Sequence, residues 1–180
     1  MKRLALLLGL GVALACQRQG VRPTSAKGPA DSADQVMLKM DSYLSQDGVR
    51  KNYVKADTAY IYQAAQKMDL RRLTITFFDN TGRQSSVLTA KQGMYSITLG
   101  SLDARGNVVV TSTDGRRLST PHLIYDRSAL QLRSDTTFTY QSKTEDLTGK
   151  NFTSDLEFRN LHIHEPTGTQ RGKGVLLPGQ

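Results

Sequence analysis

The sequence predicts an all-β protein, either a sandwich or an open roll, on three observations. Apolar and polar residues alternate over short runs that are closed by turn formers, among them Asp79-Asn80-Thr81-Gly82 and Asp114-Gly115. An eight-residue pattern recurs at a spacing of about thirty: LTAKQGMY from Leu88 to Tyr95, then LSTPHLIY from Leu118 to Tyr125. A blurred copy, LTGKNFTS, begins at Leu147, and another, VKADTAYI, at Val54. Composition agrees: Ser and Thr are plentiful, Val, Ile and Tyr are spread evenly, and Trp is absent. A fixed period means that one supersecondary unit is stacked, because such a unit cannot bury its apolar face alone.

The elements follow in order. Val36 to Leu44 fits a helical stripe through Val36, Met37, Met40 and Leu44, and also a strand through Val36, Leu38 and Met40. The Asp47-Gly48 hairpin signal and the alternation from Tyr53 to Tyr62 favour two strands. Leu73, Ile75 and Phe77 share a strand face, ahead of the Asp79–Gly82 turn. Strands are expected at Val87 to Ala90 and at Tyr95 to Leu99, parted by Gly93. Leu102 and Ala104 lead to a turn expected at Arg105-Gly106-Asn107, followed by the β-prone run Val108 to Val110. Asp114-Gly115 turns the chain into Leu118–Tyr125, and Asp126 to Ala129 turns it into Leu130 and Leu132. Phe138 and Tyr140 share a face, and the pattern continues through Leu147, Phe152, Leu156 and Phe158 to Ile163. About a dozen short strands result, with no convincing helix.

The inward set is expected to be Leu73, Ile75, Phe77, Leu88, Ala90, Tyr95, Ile97, Leu102, Val108, Val110, Leu118, Leu123, Tyr125, Leu130, Leu132, Phe138 and Tyr140. Small residues recur near them at Ala90, Ala104, Thr120 and Gly149. They either keep the interior open or allow tight packing of the sheets.

At the N-terminus, Lys2 and Arg3 precede an apolar or small run from Leu4 to Ala15, and then the single Cys, Cys16. A basic start, a short apolar stretch and small residues before a cut describe an export signal. The run is too short to span a bilayer, which needs roughly twenty residues. LACQ resembles a bacterial lipobox, with Ala13 where Leu is usual, so residues 1–15 are expected to be a lipoprotein signal and Cys16 the lipid-attachment site. The alternative is a plain secretory signal that ends at a Cys. Residues 16–33 are expected to be a flexible tether, 34–165 the folded domain and 166–180 a loose tail. The net charge of +8 falls by two if Lys2 and Arg3 are removed, favours anionic partners in general and selects none. One Cys excludes an internal disulfide framework.

The chain resembles the LptC family of lipopolysaccharide export proteins, and more broadly LptA and OstA-like periplasmic domains. The resemblance rests on ADTAYIY (Ala56 to Tyr62), LTAKQGMY, GNVVVTSTDGRRLSTPHLIYD (Gly106 to Asp126) and the weaker LTGKNFTSD (Leu147 to Asp155). It implies an elongated antiparallel β-jelly-roll, open along one side. It further implies that the apolar interior carries the acyl chains of lipopolysaccharide or a related glycolipid, lined by the inward set. The partners implied are an inner-membrane ABC transporter and an LptA-like β-roll protein joined by strand pairing, with no nucleic acid and no cofactor. Family members often carry an uncleaved transmembrane helix where this chain has its lipobox-like end. The blurred repeat also has Ser154 in place of Tyr. A second function class is a structural envelope lipoprotein with a filled core, which uses the same edges without carrying lipid.

An enzyme is not expected. No G-x-S-x-G elbow is present, and Asp79, Asp114 and Asp126 fall in turns, where capping explains them. His162, His164 and Glu165 could hold zinc, but no second cluster supplies further ligands. The basic pairs Arg50-Lys51, Arg71-Arg72 and Arg116-Arg117 are read either as solvated charge or as contacts to lipid phosphates at the rim.

Overall fold

A computed structural model describes residues 32–46, 49–79 and 81–166. Among them nine strands form one antiparallel sheet in strict chain order: β1 (Gln35–Gln46), β2 (Val49–Tyr62), β3 (Lys67–Phe78), β4 (Gln84–Ser96), β5 (Leu102–Ser112), β6 (Arg117–Asp126), β7 (Gln131–Gln141), β8 (Asp146–Asp155) and β9 (His162–Pro166). Each strand pairs only with its sequence neighbours, so the sheet stays open, with β1 and β9 at its edges. The expected Asp47-Gly48 hairpin, the cut at Cys16 and the C-terminal tail lie outside the described residues.

The strands are fewer and longer than the sequence predicts, and the reason is a row of irregularities across the middle of the sheet. In β3, burial alternates through Met68 and Leu70, then resumes out of phase at Leu73, Ile75 and Phe77. The same slip falls between Ala90 and Gly93 in β4, Thr120 and Leu123 in β6, and Gly149 and Phe152 in β8. Backbone register shifts fall there too, between Arg105 and Val108, Ser119 and Ile124, and Ser134 and Thr137. Lys39, Arg72, Asn107 and Asn151 have φ between 47° and 54° at this row, the left-handed region that bulges and kinks require. Extra residues here turn each strand while keeping the same face inward on both sides of the turn.

The bend divides the sheet into two leaves. One contains the beginnings of the odd strands and the ends of the even ones; the other contains the remaining halves. The leaves face each other: Phe77, near the end of β3, meets Tyr125, near the end of β6, edge-on at 4.8 Å between ring centroids. Their inner faces form one apolar core that includes Leu73, Leu88, Leu102, Val108, Leu118, Leu123 and Leu132, all at 0–1% exposure.

The eight-residue repeat is the bend itself. Its copies lie in β2, β4, β6 and β8. Positions one and three point inward before the turn, two polar or turn-forming residues cross it, and positions six and eight point inward after it. The third position is small because the inside of the corner is crowded. A β-carbon placed on Gly149 would stand 2.8 Å from the Glu165 carbonyl oxygen and 3.1 Å from the Phe138 ring. At position six, a β-carbon on Gly93 would stand 3.0 Å from Leu73 and 3.1 Å from Leu102. At these two glycines, smallness serves close packing.

Candidate functional site: the apolar interior and its open end

Fifteen of the seventeen residues expected to face the interior are buried between the leaves: Leu73, Ile75, Phe77, Leu88, Ala90, Tyr95, Leu102, Val108, Val110, Leu118, Leu123, Tyr125, Leu132, Phe138 and Tyr140. Ile97 and Leu130 are not. Ile97 lies in the β4–β5 turn at 41% exposure, and Leu130 in the β6–β7 turn at 52% with φ of 49°. The alternation that points both inward does not extend to them, because β4 ends at Ser96 and β7 begins at Gln131. Nine further apolar residues missing from that set are buried in the same core: Met40, Val54, Ala56, Ala59, Met68, Leu70, Ala104, Phe152 and Phe158. Phe152 was legible as the sixth residue of the blurred repeat.

The middle of the interior is apolar, and one end is not. There the inner rows finish in Asn52 and Ser86 on one leaf, and in Tyr95, Tyr125 and Ser154 on the other. Asn52 and the Arg127 guanidinium hydrogen-bond the Tyr95 hydroxyl. Burial pushes the Tyr95 hydroxyl upward, and the nearby Arg127 charge and these hydrogen bonds partly oppose it. Burial raises Tyr125 further, from 10.0 to about 12. A cleft of about 430 Å³ opens at this end, lined by Lys51, Asn52, Phe78, Tyr125, Arg127 and Leu156, among others.

The turns that frame the roll are held by Asp carboxylates. Asp79 Oδ1 accepts from the Thr81 amide at 2.7 Å, the Thr81 hydroxyl at 2.6 Å and the Arg83 amide at 3.0 Å. These bonds, the Thr81 hydroxyl first, hold the Asp79 carboxyl down at about 2. Asp126 caps Ser128 and Ala129 in the same way. Three of the six residues in the basic pairs are engaged locally. Arg71 pairs with Asp69, Arg72 with Asp57, and Arg116 with Asp114, while Arg116 Nη1 also donates to the carbonyl oxygens of Glu157 and Phe158. Arg117 is exposed, Lys51 lines the cleft, and the Arg50 side chain lies outside what the structure describes.

Across the outside of the bend, His122 reaches Asp103 at 3.1 Å and Asp135 at 3.3 Å, and Arg105 forks onto the same Asp103. This tie joins β5, β6 and β7 where their ladders are irregular. His162, His164 and Glu165 lie exposed on the edge strand β9, and Glu165 accepts from Asn151 at 2.8 Å. Among the described residues, no group of three or more His, Cys, Asp or Glu is placed to hold a metal. No described helix is long and apolar enough to cross a membrane.

No curated protein matches the chain. The family model for LptC, described as "Lipopolysaccharide-assembly, LptC-related", matches residues 4–170, nearly the whole length. With an open antiparallel roll around an apolar interior already in view, this match carries the assignment: the chain belongs to the LptC-related family of lipopolysaccharide-assembly proteins, and its role lies in lipopolysaccharide transport and assembly at the cell envelope.

Proposed function

We propose that the protein carries lipopolysaccharide across the periplasm with the acyl tails between its two leaves. It accepts the lipid from an inner-membrane ABC transporter and passes it to an LptA-like β-roll protein. Exposed strand edges at β1 and β9 continue the roll into its neighbours by strand addition. A lipidated Cys16 tethers the domain to a membrane.

The observation that carries this reading is an apolar inner face on an open sheet. Leaving one twelve-carbon tail in water costs on the order of 10 kcal/mol, at about 0.8 kcal/mol per methylene. A roll can cover that surface without a catalytic group while the sugars remain in solvent. All ladder pairing joins sequence neighbours, so the leaves can part without breaking a ladder. Parting exposes the core, and the tails re-cover it.

The leucines of the inner face are packed against one another, and this favours a second reading. In that reading the protein is a scaffold that pairs edges with other envelope proteins around a filled core. Depletion separates the two. Lipopolysaccharide that accumulates at the inner membrane supports transfer; unchanged lipopolysaccharide distribution, with partner proteins lost from the complex, supports a scaffold.

A further inference from the structure

We propose that Arg127 receives the phosphate group of an acylated lipid at the open end of the interior. The proposal rests on the lipid-carrying reading above and assigns the group that holds the lipid's charged part.

Arg127 sits in the β6–β7 turn, and its stem crosses the β4–β5 turn at Gly100. Any β-carbon at Gly100 would lie 2.3 Å from Arg127 Cδ and 2.6 Å from Nη1, so the glycine leaves room for the side chain to pass. The guanidinium then reaches Tyr95 between the leaves. Its Nη2 is buried and has no hydrogen-bond partner, whereas buried donors in folded proteins are almost always paired. Arg127 makes no ion pair among the described residues. The carboxylates at the cleft are committed elsewhere: Asp79 and Asp155 accept backbone amides of their own turns, and Glu157 pairs with Arg159.

Two further buried polar atoms lack partners, Ser86 Oγ and Ser154 Oγ. Ser86 follows Ser85, and Ser154 precedes Asp155, and both of those neighbours line the same cleft. The unmet hydrogen-bonding capacity among the described residues is thus confined to the polar end of an otherwise apolar interior. The cleft that holds Arg127 combines apolar residues, Phe78, Tyr125, Leu130 and Leu156, with polar and charged ones that include Lys51, Asn52 and Arg159. An unpartnered guanidinium nitrogen, set beside apolar residues at the polar end of the interior, suits an anion attached to hydrocarbon. A phosphate offers the oxygens in the geometry that a guanidinium matches.

The test compares the purified full chain with Arg127→Met, and with Arg127→Lys as the conservative rescue. The probes are lipopolysaccharide carrying its phosphates and the same material enzymatically dephosphorylated. Circular dichroism melting confirms that the variants fold. The phosphorylated probe is expected to lose about tenfold in affinity on Arg127→Met and to regain part of it on Arg127→Lys, while the dephosphorylated probe binds all three alike. Equal losses for both probes, or no loss for either, overturn the assignment and leave the lipid-carrying reading standing. A wild-type chain that binds neither probe overturns that reading and the assignment with it. If 10 mM inorganic phosphate abolishes binding of the phosphorylated lipid to the wild type, the site takes free anion, and the lipid source is overturned.

Discussion

Phe77 and Tyr125 touch edge-to-face although they stand three strands apart in a sheet where every strand pairs only with its neighbours. That contact closes the two leaves over the interior. Truncating Phe77→Ala is expected to destabilise the protein by about 3–5 kcal/mol, the range for a buried aromatic. A double-mutant cycle with Tyr125→Leu should return a coupling of about 0.5–1.5 kcal/mol. Chemical denaturation of the four proteins measures both quantities, and additive losses would place the rings in separate environments.

Stability should fall in alkali. Burial raises Tyr125 to about 12 from 10.0, so the folded state holds a proton that the unfolded chain releases. The contribution is full below pH 10 and is lost as pH rises towards 12. A two-unit shift corresponds to about 3 kcal/mol at most. Tyr95 and Tyr140 shift in the same direction, also chiefly through burial. The share of phenolate absorbance at 295 nm that comes from these buried tyrosines should therefore appear late and together with unfolding, and Tyr125→Phe should delay the alkaline transition.

Gly149 is expected to resist substitution. Gly149→Val drives a side chain into the Glu165 carbonyl and the Phe138 ring, where overpacking costs about 1–3 kcal/mol. The loss should be local. Amide exchange of β9 should accelerate first, while β3 and β4 stay protected. Uniform acceleration would mean that β9 is no separate edge unit.

The β1 edge should separate binding from stability. Leu38 is 72% exposed, beside exposed Val36 and Met37. Leu38→Asp is expected to change the unfolding free energy by no more than about 0.5 kcal/mol. It should weaken association with whatever pairs along β1, as read by co-purification from envelope extracts. An equal loss at Tyr62→Asp, on β2, would argue against an edge contact.

Much of this fold was legible in the sequence, and the bend explains where legibility stopped. The hairpin at Asp114-Gly115 and the turn at Asp79 announced themselves through residues that favour those conformations locally. The repeat at Leu88 and Leu118 marked equivalent segments, though its meaning lay in the phase slip between its third and sixth positions. Period-two alternation breaks at such a slip, so one strand reads as two. Arg105-Gly106-Asn107 therefore read as a turn although it lies inside β5, and Gly93 read as a break inside β4. Ile97 and Leu130 continue the apolar alternation by one residue beyond β4 and ahead of β7, and nothing local marks where those strands end. Arg127 gave no local signal, because its burial depends on Gly100 in another turn and on Tyr95 and Asn52 from two further strands.

The central claim is that acyl chains lie between the leaves. A diazirine amino acid of leucine's size, placed at buried Leu123 and, as a control on the outer face of β4, at Met94 with 39% exposure, tests it in cells. Illumination should crosslink lipopolysaccharide to position 123 and leave position 94 free of it. Capture at neither position, or equal capture at both, would contradict the account.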